Sequence, residues 1–284
     1  PAHLPKDLLH EAEHPSLART RNLSHLLAEC LGRDIIRLLQ DIGLVAKRQG
    51  YNAFAVGGFV RDLLLKKSNL DLDIVVEGDG ILFAKHLAQH LGGRYRTHER
   101  FKTAMVLMPD GFKIDIATAR LEYYEYPAAM PTVELSSIKL DLWRRDFTIN
   151  AMAIHLNPEH FGTLIDFFNS QNDLKQKTIK VMHNLSFVED PSRIFRAVRF
   201  EKRMGFEIAP HTRRLIANAV NMKLFGKVND TRFFGELKSI LSEENPLPAL
   251  ERLAEFDLFQ FLWPDLQPHC KFDRRLHHLI SQAR

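Results

Sequence analysis

The sequence predicts an α+β protein, in which a sheet of short strands with associated helices precedes a segment that is entirely helical. Two observations support this prediction. Up to about residue 170, short apolar runs end at glycine or Asp-Gly turns and alternate with stretches of helical periodicity. After about residue 173, the strand signals fade and helix-like spacing of apolar residues dominates.

This change of pattern divides the chain into three predicted parts. We expect a linker or fragment start at residues 1–21, a sheet-containing part at 22–170 and a helical part from 171 onward. Because the chain begins without Met and ends within a helical pattern, we expect a fragment of a longer protein.

Composition narrows the class of protein. The chain of 284 residues is 45% hydrophobic and 26% charged, which is ordinary for a globular protein. Its net charge of +4 is compatible with a polyanionic partner. Two distant cysteines exclude a disulfide scaffold and a Cys-rich zinc site, and they indicate the reducing cytoplasm. No apolar run approaches the roughly 18 residues of a membrane span, so we expect no membrane partner.

The first elements follow from periodicity. Apolar residues between Asn22 and Gln49 predict two helices divided at Gly32. A short apolar strand then stops at Gly57-Gly58, where paired glycines allow a tight turn and a close approach to a ligand. A short helix and the strand Leu70–Val76 complete this stretch.

Two acids begin that strand. Asp71 and Asp73 lie two residues apart, so a strand places both on one face. Adjacent carboxylates repel each other unless a cation lies between them, and oxygen ligands suit Mg²⁺. A solvated strand end is the simpler interpretation of two such acids. The Gly57-Gly58 turn favours a site, because its backbone N–H groups can hold phosphates near the acids.

A helix and three strands follow. The spacing predicts a helix over Asp79–Leu91, stopped by Gly92-Gly93, and then strands at 94–97, 103–108 and 113–118. Asp110-Gly111 indicates a hairpin between the last two strands. Asp115 alternates with apolar residues in the third strand. It is either an exposed acid on an edge strand or a third carboxylate beside Asp71 and Asp73.

The later segments combine irregular and helical stretches. Residues 123–131 are bounded by proline and predict a loop, and Arg144-Arg145-Asp146 precedes an apolar run. Asp190 is a predicted N-cap, with Pro191 at the first helical position. Arginines recur every third residue on that helix, which most often indicates a solvated face. They are Arg193, Arg196 and Arg199.

Four stretches, in this order, resemble the bacterial class II tRNA nucleotidyltransferase and poly(A) polymerase family. They are GGFVRD (57–62), DLD (71–73), RRDFTINAMA (144–153) and EDPSRIFRAVRF (189–200). The similarity extends over roughly residues 22 to 265. It implies a nucleotidyltransferase head of the polymerase-β type at 22–170, with a mixed or antiparallel sheet. A helical neck at 171–225 and a truncated helical body at 226–284 would follow.

The resemblance also implies a reaction and its residues. An RNA 3′-hydroxyl attacks the α-phosphate of a nucleoside triphosphate, and pyrophosphate leaves. Two Mg²⁺ ions would be held by the catalytic acids Asp71, Asp73 and Asp115, the last of which helps to deprotonate the hydroxyl. The implied nucleotide-binding residues are Gly57, Gly58, Arg61, Arg145, Asp146, Asn150, Asp190, Arg193, Arg196 and Arg199.

Asp190 and Arg193 match the family's base-reading pair. A carboxylate only accepts hydrogen bonds and a guanidinium only donates them. The pair therefore suits adenine and cytosine, which present an amino donor beside a ring-nitrogen acceptor. Guanine and uracil have the opposite polarity and would leave groups unpaired, at a cost of ~1–3 kcal/mol each. The pair admits ATP and CTP and does not separate them.

Within the family, the chain looks most like the A-adding enzymes. CCA-adding members usually carry an Asp-Gly-Arg-Arg-Pro-like run in the loop where this chain has YPAAMP (126–131). The stretch IDIATAR (114–120), followed by EYY (122–124), is similar to A-adding members. We therefore expect AMP addition from ATP to the 3′ end of tRNA. The alternatives are a full CCA-adding enzyme, a poly(A) polymerase and a non-catalytic nucleotide- or RNA-binding module.

Overall fold

The computed structural model describes residues 21–123, 132–223 and 230–259. Within them the chain forms two compact units, the first comprising residues 21–123 and 132–175 and the second residues 176–223 and 230–259. The predicted loop at 123–131 lies outside the described residues except for Tyr123, and residues 1–20 also lie outside them. No helix in the described ranges has the length and apolarity that a membrane crossing needs.

The first unit combines six helices with ten strands. The helices are α1 (Ser24–Cys30), α2 (Arg33–Arg48), α3 (Gly58–Leu64), α4 (Gly80–Leu91), α5 (Ile138–Trp143) and α6 (Ser170–Lys175). The strands are β1 (Arg21–Asn22), β2 (Asn52–Val56), β3 (Leu72–Glu77), β4 (Arg94–His98), β5 (Thr103–Leu107), β6 (Lys113–Thr118), β7 (Arg120–Tyr123), β8 (Thr132–Leu135), β9 (Ala153–His155) and β10 (Thr163–Ile165).

Eight of these strands form one mixed sheet in the order β1-β10-β9-β2-β3-β6-β5-β4. Only the β3–β6 pair in this sheet is parallel, and the remaining neighbours are antiparallel. Strands β7 and β8 form a separate antiparallel pair. The predicted α+β fold with a mixed sheet is therefore confirmed.

Local sequence signals account for the elements around the sheet. Asp79 caps α4 by accepting hydrogen bonds from the backbone N–H groups of Ile81 and Leu82. Gly92 ends the same helix in the left-handed conformation, with φ 66°. The predicted helix division at Gly32 and the Asp110-Gly111 hairpin between β5 and β6 are also present.

The two faces of the sheet differ around β6. Ile114 and Ile116 are buried on one face, where α4 packs against β5 and β6. Asp115, between them in the chain, is exposed on the other face. Strand β6 lies between β3 and β5, so the interpretation of Asp115 as an acid on an edge strand is wrong.

The second unit is mostly helical. Its helices are α7 (Ser186–Glu189), α8 (Arg193–Met204), α9 (Pro210–Asn221), α10 (Asp230–Leu241) and α11 (Leu247–Glu255). Two short strands, β11 (Thr178–Ile179) and β12 (Glu207–Ile208), pair in parallel.

The start of α8 differs from the prediction. The helix begins at Arg193 with Ser192 at the N-cap, so Asp190 is not its cap and Pro191 is not its first residue. Both precede it in a tight turn, in which the N–H of Arg193 donates to the carbonyl of Asp190. The carboxylate of Asp190 accepts from the backbone N–H of Ser192 instead. This local bond holds a turn ahead of the helix.

Candidate active site

Strand pairing brings the three predicted acids to one face of the first unit's sheet. Asp73 lies directly opposite Asp115 across the parallel β3–β6 pair. Asp71, two residues before Asp73, immediately precedes β3 and is exposed. As the side chains are placed, no three His, Cys, Asp or Glu residues among those described form a closed metal cage. The acids therefore share a face without converging on one point.

Their electrostatics show the cost of this arrangement. Burial, together with the nearby charges of Asp71 and Asp115, raises the pKa of Asp73 to about 6 against the opposing effect of Arg145. Burial and the charge of Asp71 also raise the pKa of Asp115, although Lys113 opposes them. A cation between the carboxylates would relieve this repulsion, and three carboxylates are a fitting donor set for a hard divalent metal ion.

The glycine turn lies against the same acids. Gly57 lies between β2 and α3 and has φ 70°. Residues other than glycine rarely adopt this backbone conformation. A Cβ atom at this position would lie 3.1 Å from Nη1 of Arg145 and 3.4 Å from Oδ2 of Asp73. Glycine at this position therefore lets the guanidinium and the carboxylate lie close to the backbone of the turn.

Arg145 is held in place by a buried acid that the sequence analysis did not select. Asp141 in α5 is fully buried and accepts from Nη2 of Arg145 at 3.1 Å and from Nη2 of Arg144 at 2.7 Å. Burial favours the neutral acid, but Arg144 and Arg145 outweigh it and lower the pKa of Asp141. The i, i+3 and i, i+4 spacing to the two arginines is a signal that could have identified it.

A buried polar network surrounds Arg61. Its guanidinium donates two hydrogen bonds of 2.8 Å to Asp62 and one of 2.7 Å to Oδ1 of Asn150. The amide of Asn150 donates in turn to Asp146 at 3.0 Å, and the backbone N–H of Phe147 donates to the same carboxylate. Arg61 and Asp62 neutralise each other, so the network fixes Asn150 and Asp146 rather than exposing a cation.

In the second unit, the carboxylate of Asp190 is oriented by two neighbours. Oδ1 accepts from the backbone N–H and the hydroxyl of Ser192, and Oδ2 accepts from Nη1 of Arg232 at 3.0 Å. Arg232 lies 42 residues further along the chain, in α10, which explains why local pattern did not reveal it.

Arg193 is enclosed by a second set of groups. Its Nη1 donates to the carbonyl of Ser186 at 3.4 Å and lies 3.8 Å from Glu189. The imidazole of His183 is 3.4 Å from the same carboxylate. Burial and the charge of Arg193 nevertheless lower the pKa of His183 to about 4, so this imidazole is neutral at pH 7.

Two further arginines of α8 bind one acid of α10. Arg196 donates to Oε1 of Glu236 at 2.8 Å and Arg199 donates to Oε2 at 3.1 Å. Glu236 is only 8% exposed. Phe195 and Phe233 stack edge-on between the same two helices. The arginine stripe is thus engaged in packing within the second unit, where a solvated face was the simpler expectation.

Two family models match the chain. The Poly A polymerase head domain matches residues 53–180, and the probable RNA and SrmB-binding site of polymerase A matches residues 205–270. The head match includes Gly57, Arg145 and the three acids of the sheet face. The fold and these matches define a nucleotidyltransferase-type head followed by an RNA-binding-type region.

Similar proteins narrow the class. An A-adding tRNA nucleotidyltransferase of Geobacter sulfurreducens is 52% identical over 87% of this chain and 28% of its own length. One from Halalkalibacterium halodurans is 39% identical over 88% of this chain and 59% of its own length. A solved structure of the Thermotoga maritima CCA-adding enzyme with tRNA is 43% identical, with a TM-score of 0.82 over 92% of this chain and 60% of that one.

The chain therefore belongs to the tRNA nucleotidyltransferase and poly(A) polymerase family. It spans between about a quarter and three fifths of the lengths of the relatives it matches. Members of this family normally use divalent metal ions.

Proposed function

We propose that this chain carries the active site of an A-adding tRNA nucleotidyltransferase, which transfers AMP from ATP to the 3′ end of tRNA. One observation supports this most directly: Asp73 and Asp115 are register partners on a sheet face that also carries Asp71 and adjoins the Gly57 turn and Arg145. A tRNA substrate would place this activity in the cytoplasm.

Each residue on the sheet face has a role in this proposal. Asp71, Asp73 and Asp115 would hold Mg²⁺, which would supply electrostatic stabilisation of the attacking and leaving oxygens in an in-line displacement. Asp115 accepts the proton of the RNA 3′-hydroxyl as the general base. The 3′-oxygen bonds to the α-phosphorus, the bond to the β-phosphate oxygen breaks, and pyrophosphate leaves.

The groups around the glycine turn bind the nucleotide. Backbone N–H groups at Gly57-Gly58 and the guanidinium of Arg145 bind the triphosphate. Asp146 accepts from the ribose 2′-hydroxyl, while Asn150 binds beside it. Arg61 acts through Asn150, because Asp62 already neutralises its charge.

The second unit supplies base selection. The carboxylate of Asp190 accepts from the exocyclic amino group, and Arg193 donates to the ring nitrogen. Arg232 and Ser192 orient Asp190. Glu189 and the carbonyl of Ser186 orient Arg193. We assign Arg196 and Arg199 to holding α8 against α10 through Glu236, rather than to phosphate binding.

Similarity favours A addition over the alternatives. The relative at 52% identity is an A-adding enzyme, whereas the Thermotoga maritima CCA-adding enzyme is 43% identical and a CC-adding relative is 33% identical. A non-catalytic module is disfavoured because the acids Asp71, Asp73 and Asp115 and the base-reading pair Asp190 and Arg193 are all present.

The test is single-turnover incorporation of labelled ATP or CTP into tRNA that lacks A, CA or CCA. We expect one AMP on tRNA ending in CC, no CMP on any of the three, and no product after chelation of divalent ions. Addition of both C and A would establish a full CCA-adding enzyme instead. Long A tails on unrelated RNA would establish a poly(A) polymerase, and ATP binding without any product would establish a binding module.

A further inference from the structure

The sheet face that carries the acids continues as an exposed surface towards β4. Register places Asp115 opposite Met105 and Met105 opposite Arg96. In the neighbouring row, Lys113 lies opposite Leu107 and Leu107 opposite Arg94. Since alternate residues of a strand share a face, all of these side chains project from the same face as Asp73.

We call Arg94, Arg96 and Lys113 the basic edge. All three are exposed, and Asp115 is the one acid in their two rows. Lys113 lies close enough to Asp115 to oppose the rise in its pKa. With strands about 4.8 Å apart, Arg96 lies two strands, or about 10 Å, from Asp115 along the sheet. The basic edge is therefore continuous with the acidic face.

An edge strand can carry charged residues simply to prevent association with other strands. That explanation predicts charges on either face. Here both arginines of β4 lie on the same face as Asp115, and Tyr95 and Thr97 alternate with them on the other face. Leu107 is 36% exposed between the basic residues, where it can contact a ribose or a base. A positively charged surface that follows the backbone is typical of single-stranded nucleic acid binding.

The direction of the reaction selects the occupant. In an in-line displacement, the attacking and leaving oxygens lie on opposite sides of the phosphorus. Gly57 and Arg145 adjoin Asp73 from the β2 side and would hold the leaving pyrophosphate there. The attacking 3′-hydroxyl must then arrive from the opposite side, where β6, β5 and the basic edge lie.

We propose that the basic edge binds the sugar–phosphate backbone of the single-stranded 3′ end of the RNA substrate and guides its terminal hydroxyl to Asp115. This inference rests on the proposed function, because it takes the sheet acids as the catalytic centre. The charge of the basic edge complements the RNA backbone, and its position is continuous with the site where that backbone ends.

The test replaces the basic edge with neutral side chains in R94Q/R96Q/K113Q. The matched control R33Q/R37Q/K85Q removes the same charge from exposed residues of α2 and α4. Binding of labelled RNA ending in CC is measured by fluorescence anisotropy from 50 to 300 mM salt. Steady-state incorporation then gives separate KM values for RNA and ATP.

We expect the basic-edge variant to weaken RNA binding about tenfold and to reduce the slope of log K against log salt by about 2, at ~0.7 per lost single-strand phosphate contact. Its KM for RNA rises, while its KM for ATP stays within twofold of the wild-type value. The control changes neither quantity more than twofold. Equal losses in the two variants would overturn the proposal, because nonspecific charge would then explain them.

Three further outcomes separate this inference from the proposed function. A rise in the KM for ATP alone would assign the basic edge to the triphosphate and overturn the inference. Normal AMP addition with unchanged RNA binding would refute the basic edge and leave the proposed function standing. If the variant loses RNA affinity and the wild-type protein adds no AMP, the proposed function is refuted. The RNA-binding role of the basic edge would then still hold.

Discussion

The sheet face of the first unit and helix α8 of the second both gather charged side chains, but their charges are balanced differently. At the sheet, burial together with the charges of Asp71 and Asp115 raises the pKa of Asp73 to about 6, despite the proximity of Arg145. At α8, Asp190 is held by Arg232, and Glu236 binds two arginines. The first arrangement leaves excess negative charge for a cation, and the second provides fixed hydrogen-bonding groups.

This difference suits two kinds of task. Carboxylates that repel each other lower the stability of the folded protein until a cation binds between them. Their arrangement therefore becomes favourable only when the cation is bound. A carboxylate and a guanidinium held by neighbours present a defined donor and acceptor pattern, which is what base selection needs. The predictions below test whether chemistry and selection are divided in this way.

The largest effect should come from the sheet acids. Asp73→Asn removes a metal ligand worth several kcal/mol in the transition state, so AMP addition should fall by ~10³-fold or more. The thermal midpoint of the metal-free protein should hold or rise, because one repelling charge is gone. Single-turnover rates and thermal melts measure both quantities. The control is Asp110→Asn, which changes an exposed acid of the hairpin. Comparable rates of AMP addition in the two variants would show that Asp73 is not a metal ligand.

A substitution at the contact between α8 and α10 should affect the stability of the protein more than the rate of AMP addition. Glu236→Gln leaves Arg196 and Arg199 without their shared anion, at a cost of ~2–3 kcal/mol in the free energy of unfolding. Glu243→Gln should cost less, because its contacts with Arg199 and Arg203 are longer, at 3.8 and 3.9 Å, and its side chain is more exposed. Chemical denaturation measures both. If Glu236→Gln leaves the free energy of unfolding unchanged, Arg196 and Arg199 would be assigned to phosphate binding instead.

The third effect concerns selection. Arg232→Met removes the donor that fixes Oδ2 of Asp190, and a misplaced carboxylate costs ~1–2 kcal/mol of a charge-assisted hydrogen bond. We expect the ratio of ATP to GTP incorporation to fall about tenfold, with the KM for ATP rising more than kcat falls. The exposed Arg213, changed to Met, serves as the control. A lower kcat with an intact ATP-to-GTP ratio would mean that Arg232 is merely structural.

These long-range partners show where local sequence pattern is insufficient. The acids of the sheet face, the glycine turn and the glycine stop of α4 were predicted because their signals lie within a few residues. Arg232 and Glu236 approach α8 from about 40 residues away, and no spacing rule connects them. The N-cap prediction at Asp190 failed because its side chain bonds locally to Ser192. The four-part domain division and the assignment of site residues stay predictions.

The last prediction concerns the pH dependence of the free energy of unfolding, through a histidine of the second unit. Burial and Arg193 lower the pKa of His183 to about 4, below its usual value near 6.5. The unfolded chain therefore binds a proton between these values while the folded protein does not. Stability is complete above about pH 6.5 and should fall by about 2 kcal/mol by pH 5. His183→Gln should flatten this slope in urea melts, and His211→Gln, an exposed control, should not; equal slopes in all three proteins would contradict the cause given.

The division of labour is tested most directly by magnesium-dependent stabilisation of three proteins: wild type, Asp73→Asn and Asp190→Asn. At a Mg²⁺ concentration about 100 times its Kd, a bound ion should stabilise the wild-type protein by ~2.7 kcal/mol, measured as a rise in Tm. We predict that Asp73→Asn abolishes this rise and that Asp190→Asn retains it in full. A full rise in Asp73→Asn, or its loss in Asp190→Asn, would contradict the account.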